Sequence, residues 1–216
     1  MDVSQLFSNG EAVRSVSALV ERVAAAKGAL YFRGQTDESW GLVPTIARLD
    51  QRKVAGNPVH VATDTAIVQE KHLLHRFRRH TYEERGRVLS EWEALFLARH
   101  HGLPVRLLDW TTNPLVALYF ACVCEDEPTS DGAIWTFVRT YGLLEIDVLS
   151  EPCPFAINGV RIVQPFYPTR KMTAQSGLFT IHGHPWIDLA KVDRPESLGT
   201  TDIWKGEKWM VPKVVK

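Results

Sequence analysis

From Ser90 to Cys124 the chain reads SEWEALFLARHHGLPVRLLDWTTNPLVALYFACVC, and its apolar positions are concentrated here. Ser90 with Glu93 three residues on is a capping box, which predicts a helix start. Trp92, Leu95 and Phe96 supply that helix with an apolar face, and Gly102 stands where a C′ residue would end it. Leu103 to Leu108 then reads as a short, mostly buried strand. Asp109 to Thr112 follow as a polar corner, after which Asn113-Pro114 is an N-cap and an N1 proline opening a second helix. That helix, Leu115 to Cys124, is apolar nearly all round and is expected to lie inside the domain.

Elsewhere the pattern is plainer. Ser15 to Lys27 has helical spacing at Val16, Leu19, Val20 and Val23, with Gly28 ending it. Ala29 to Gly34 follows as a short strand. Ser39 to Thr45 looks extended, since Pro44 forbids a helix through it. Asp50 to Thr63 carries Gly56, Asn57 and Pro58 and reads as a loop. Asp64 to His80 is predicted as a long helix with Ile67, Leu74 and Phe77 inward. After a polar turn over Glu125 to Asp131, Gly132 to Val138 is the clearest strand by its Ile, Trp, Phe and Val content. Arg161 to Phe166 and Leu178 to His182 are two more, Pro185 to Gly206 is irregular, and Trp209 to Pro212 reads as a last edge strand. Helices gather in the first 125 residues and strands mainly after, which predicts α+β rather than βαβ alternation. The expected division is an N-terminal helical segment over 1–28 and one domain over 29–216, compact as a whole.

Composition narrows the class. The 216 residues suit one domain, and 25 basic against 25 acidic residues cancel, so overall charge does not point to nucleic acid. A local exception is Arg76-Phe77-Arg78-Arg79-His80 with Arg85 and Arg87, read either as a solvated helix face or as a phosphate-binding patch. Cys122, Cys124 and Cys153 have no metal spacing; two of them fall in the predicted buried helix, which suits reduced thiols and a cytoplasmic protein. The first fifteen residues have no signal-peptide pattern, and no apolar run reaches a membrane span, so no membrane partner is expected.

Few residues stand out as candidates for chemistry. Arg33 ends an apolar strand and is followed by Gly34; glycine permits close approach to backbone, and a planar guanidinium suits phosphate or carboxylate. The alternative is a structural arginine paired to an acid such as Asp109. An aspartate between a buried strand and a buried helix must itself find partners. Gln175, beside Gly177 at the mouth of a strand, reads as a site residue or as a loop amide. His72 and His75 share a helix face, yet there is no HExxH or zinc set, so no metal is expected. No G-x-S-x-G elbow, Walker loop or G-x-G-x-x-G is present.

Several blocks together resemble the FRG domain family, named for its Phe-Arg-Gly motif. They are Tyr31-Phe32-Arg33-Gly34-Gln35, Trp40 to Thr45, His100-His101-Gly102-Leu103-Pro104, Leu107 to Pro114 with Ala117 to Ala121, and Gln175 to Thr180. They occur in the family's order over roughly Leu30 to Gly183. The pattern is also similar, more remotely, to the ADP-ribosyltransferase fold, which implies a mostly antiparallel split sheet with helices packed on it. By that likeness Arg33 and Gln175 are expected catalytic residues, with Asp109 as the carboxylate that would supply the charge Gln175 lacks. Tyr31, Arg33, Gly34, Gln35, His100, Trp110, Thr111, Thr112 and Tyr119 are those expected to bind NAD as co-substrate. The likeness further implies transfer to a nucleic acid or protein acceptor, as in a toxin or phage-conflict effector, with a cognate inhibitor. Gln175 stands where the fold usually has a glutamate. The reading from a different class is a non-catalytic module that binds a nucleotide or nucleic acid.

Overall fold

The computed structural model describes residues 12–26, 30–49, 63–123, 130–138, 145–151, 153–165, 177–191 and 206–212. Five helices are α1 (Val16–Ala25), α2 (Thr45–Leu49), α3 (Thr63–Arg85), α4 (Glu91–His100) and α5 (Pro114–Cys122). Seven strands are β1 (Leu30–Gln35), β2 (Leu107–Thr111), β3 (Gly132–Val138), β4 (Glu145–Ile146), β5 (Val160–Val163), β6 (Gly177–His182) and β7 (Gly206–Val211). They form one sheet in the order β4-β5-β6-β2-β1-β3-β7, antiparallel throughout except for β4 beside β5. The α+β class is as expected, with β7 at an edge. The split sheet gives way to a continuous one, but its middle joint is slight: β1 meets β2 only through Phe32 opposite Thr111.

The caps explain why the central helices begin and end where they do. Ser90 and Glu93 form the predicted capping box. Gly102 takes φ of 76°, and the N–H groups of Gly102 and Leu103 return to the carbonyls of Arg99 and Ala98, a Schellman closure. Asn113 caps α5 by accepting from the Leu115 N–H. The predicted strand over Leu103 to Leu108 is displaced to Leu107–Thr111. The closure occupies Leu103, while the Arg106 N–H and guanidinium turn to Glu70 of α3, at 2.7 and 2.8 Å. Both members of that pair are buried, and it fixes α3 to the approach of β2. Asp109 thereby lies within β2, opposite Phe179, instead of in a turn.

Strand alternation sorts the side chains into two layers. Leu30 and Phe32 of β1 pack with α1 and α5 around Leu19, Ala117, Ala121 and Trp209. On the same face, Leu107, Phe179 and Ile181 pack under α3 and α4 against Leu74, Leu95 and Phe96. Tyr31, Leu108, Trp110, Phe137 and Leu178 point the other way and are covered by Leu42 and Leu189. In α1 only Leu19 is buried, whereas Val16 and Val20, predicted inward, are exposed.

Helix α5 departs furthest from expectation. Of its residues Ala117 and Ala121 are buried, while Leu115, Tyr119, Phe120 and the flanking Val123 stay exposed. The reason is close contact through small groups: a Cβ at Gly34 would fall on the Ala117 carbonyl oxygen, and one at Gly132 on that of Ala121. The helix lies so tightly on β1 and β3 that only its alanine edge is covered, and the outer face remains open. Cys122 is likewise exposed and Cys153 half-buried, and Cys124 lies outside the described residues. Thr45, read as extended, begins α2 just past Pro44. Among the described residues no helix is long and apolar enough to cross a membrane.

Candidate functional site

The slight joint between β1 and β2 has a physical counterpart. A cleft of about 400 Å³ opens there, with α4 on one side and α5 on the other. Arg33 and Gly34 come from β1 and Asp109 and Thr111 from β2. Arg99, His100 and Gly102 come from the end of α4, and Val116 and Phe120 from α5. Its size is that of a small-molecule site.

Asp109 is the electrostatic centre. The Arg99 Nε donates to its two carboxylate oxygens at 3.1 and 3.0 Å, and the Arg99 Nη2 also donates to Oδ2. The third nitrogen of that fork donates to the Thr45 hydroxyl at 2.6 Å, tying α2 to α4. Arg33 spans the joint differently: its Nη1 donates to the Asp109 main-chain carbonyl at 2.9 Å and lies 3.6 Å from Oδ2. Its Nε is buried and has no hydrogen-bond partner.

Three guanidiniums, those of Arg33, Arg48 and Arg99, thus interact with one carboxylate. Burial, together with the neighbouring Arg48 and Arg99 charges, brings the Arg33 pKa down to about 10 despite Asp109. Burial also lowers that of Arg48, with Arg99 adding to the effect. For Asp109, burial pushes upward, but Arg99 and then Arg33 outweigh it and hold the carboxyl below its ordinary value. The site therefore keeps an excess of positive charge beside apolar Val116, Phe120 and Phe179. Such a combination suits an anion that carries a ring.

Of the residues expected to act here, Arg33, Gly34, His100, Asp109, Trp110 and Thr111 line the cleft. The role expected of Gly34 changes, because what approaches its backbone is α5 and not a ligand. The Trp110 ring is buried and its Nε1 donates to the Thr180 hydroxyl, so it does not offer a stacking face. The Thr111 hydroxyl accepts from the Asn113 N–H at 3.0 Å. Tyr31 is buried against Phe137, and Gln35 is held between the Gly41 carbonyl and the Trp135 indole, so neither lines the cleft. Thr112 and Tyr119 are exposed outside the cleft lining. Gln175 lies outside the described residues.

Arg99, Thr45 and Arg48 were not anticipated. Arg99 directly precedes the His100-His101-Gly102 block, and an arginine in a last helical turn next to such a block was the available signal. Behind the floor, the Thr180 hydroxyl accepts from Trp110 and shares a hydrogen bond with His182 Nε2 at 3.0 Å. Among the described residues no group of three or more His, Cys, Asp or Glu side chains is placed to hold a metal.

Fold and cleft define an α+β protein with an arginine-rich hollow at the joint of two central strands. The family described as FRG domain matches residues 28–130, and over that span the chain belongs to the FRG domain family. No curated protein and no solved structure matches the chain.

Proposed function

We propose that the cleft binds a nucleotide, and that the domain acts as an ADP-ribosyltransferase-like enzyme that takes NAD as co-substrate. The acceptor is a nucleic acid or protein, as for a toxin or phage-conflict effector. The observation that carries the reading is the pairing of Arg33 and Arg99 on one apolar-walled hollow, a surplus of positive charge suited to a pyrophosphate. Cleaving the nicotinamide–ribose bond develops positive charge on the ribose, which a nearby carboxylate would stabilise. Asp109 is the one carboxylate lining the cleft among the described residues.

A second reading, binding without turnover, is favoured by the state of that carboxylate: Arg99 takes both of its oxygens. Labelled NAD separates the two. Turnover predicts released nicotinamide and label on nucleic acid or protein, and Gln175→Glu is expected to raise the rate. Binding abolished by Arg33→Ala, with no nicotinamide released, supports the module. No NAD binding by the folded protein removes both.

A further inference from the structure

A second hollow of about 310 Å³ lies against α3 and shares no lining residue with the arginine cleft. Lys71, His75 and Arg78 stand at i, i+4 and i+7 on that helix, so they share one face, and His72 lies beside them. Leu74 and Phe155 give the hollow an apolar floor, with the Lys71 Nζ 5.0 Å from the Phe155 ring centre. Cys153 and Glu91 complete the wall.

Charge balance sets this place apart from three paired arginines. Arg87 is paired with Glu93, Arg106 with Glu70 and Arg99 with Asp109. Lys71 and Arg78 have no ion-pair partner among the described residues, and the Arg78 Nε is buried without any hydrogen-bond partner. Glu91 is the single carboxylate on the wall and faces two permanent cations and two imidazoles. An unsatisfied guanidinium donor costs free energy until an acceptor reaches it.

We propose that this hollow is a binding site for a phosphate group, independent of the nucleotide cleft. A tetrahedral phosphate offers oxygens in several directions, so it can accept from a guanidinium, an ammonium and an imidazole at once. The same chemistry is presented by a free phosphate ester and by the phosphodiester backbone of a nucleic acid.

The test uses the whole chain with inorganic phosphate, followed by imidazole NMR and calorimetry. Millimolar phosphate should shift the His72 and His75 ring resonances. Arg78→Gln should weaken phosphate binding by about tenfold, equivalent to about 1.4 kcal/mol. His75→Gln, at an exposed position, should weaken it in the same direction, and Arg33→Ala should leave the phosphate-induced shifts of His72 and His75 unchanged. A short oligonucleotide that displaces phosphate, with strong salt dependence, identifies a backbone phosphodiester as the source. Displacement by a phosphate ester alone identifies the free form. Unmoved histidine resonances, or Arg78→Gln and His75→Gln proteins that bind phosphate like the parent, overturn the site.

Discussion

Arg33 and Asp109 meet across the joint of β1 and β2 through a guanidinium and a main-chain carbonyl, at 2.9 Å, while the carboxylate of the same aspartate is taken by Arg99. One residue thus orients two arginines that come from different elements. Its backbone is the nearer partner of the first and its side chain holds the second, so removing the carboxylate charge acts mainly on Arg99.

Arg33→Lys is expected to weaken NAD binding by about ten- to a hundredfold, with little effect on stability. An ammonium can keep the Asp109 carbonyl or reach a ligand, but it lacks the planar fork that does both. Calorimetry with NAD on the purified variant gives the answer, and an unchanged dissociation constant would remove Arg33 from the site.

Asp109→Asn leaves the carbonyl in place and removes the charge. Because the carboxylate is 43% exposed, solvent screening limits the stability loss to about 1 kcal/mol in a urea titration. Binding of an anionic nucleotide should tighten, since Arg99 is released from its ion pair. If Asp109 stabilises the ribose cation, nicotinamide release should meanwhile fall by about 10²–10³. Tighter binding with no change in turnover assigns the aspartate a purely electrostatic brake on binding.

Gly34→Ala should be among the most damaging single-methyl changes in the chain. The new Cβ would fall on the Ala117 carbonyl and close to the Ala121 nitrogen, both backbone atoms that cannot rotate away. A loss of about 3 kcal/mol is expected from overpacking of this kind. A thermal or urea transition near that of the parent would mean that α5 lifts off β1 easily.

Acid should destabilise the fold through His182. Burial first, and then the charges of Arg33 and Arg106, bring its pKa down to about 3, against an ordinary value near 6.5. Between those values the unfolded chain holds a proton that the folded chain refuses. Stability is therefore complete above about pH 6.5 and declines as pH falls toward 3, by up to about 1.4 kcal/mol per pH unit. Urea titrations from neutral to acid pH should show that slope, and His182→Gln should flatten it. Equal slopes in the two proteins would assign acid sensitivity to other groups.

Local chemistry was legible in the sequence wherever one short stretch settles the matter. The Ser90–Glu93 box, the φ of Gly102, the Asn113-Pro114 start and the span of β3 each depend on residues a few positions apart. Features set by distant partners were not. The capture of Arg106 by Glu70, 36 residues away, shortens the expected strand, and nothing near Leu103 announces it. Helix α5 has no charged residue, which suggests a buried helix; its exposure follows from Gly34 and Gly132 admitting it edge-on. Within the cleft, Arg33 and Asp109 were legible, but Arg99 was not, because only the folded α4 brings its fork over β2. Tyr31 and Gln35 share Arg33's side of β1, yet Tyr31 packs on Phe137 and Gln35 bonds to Gly41 and Trp135, and neither lines the cleft.

The single-pair joint between β1 and β2 has one more consequence. Backbone bonding there is too sparse to lock the two halves of the sheet, so side chains serve as the stitches, Arg33 foremost. Whatever molecule settles over that guanidinium and the end of α4 adds another stitch. Slower amide exchange in β1 and β2 on loading would therefore report occupancy, even for a ligand that never reacts.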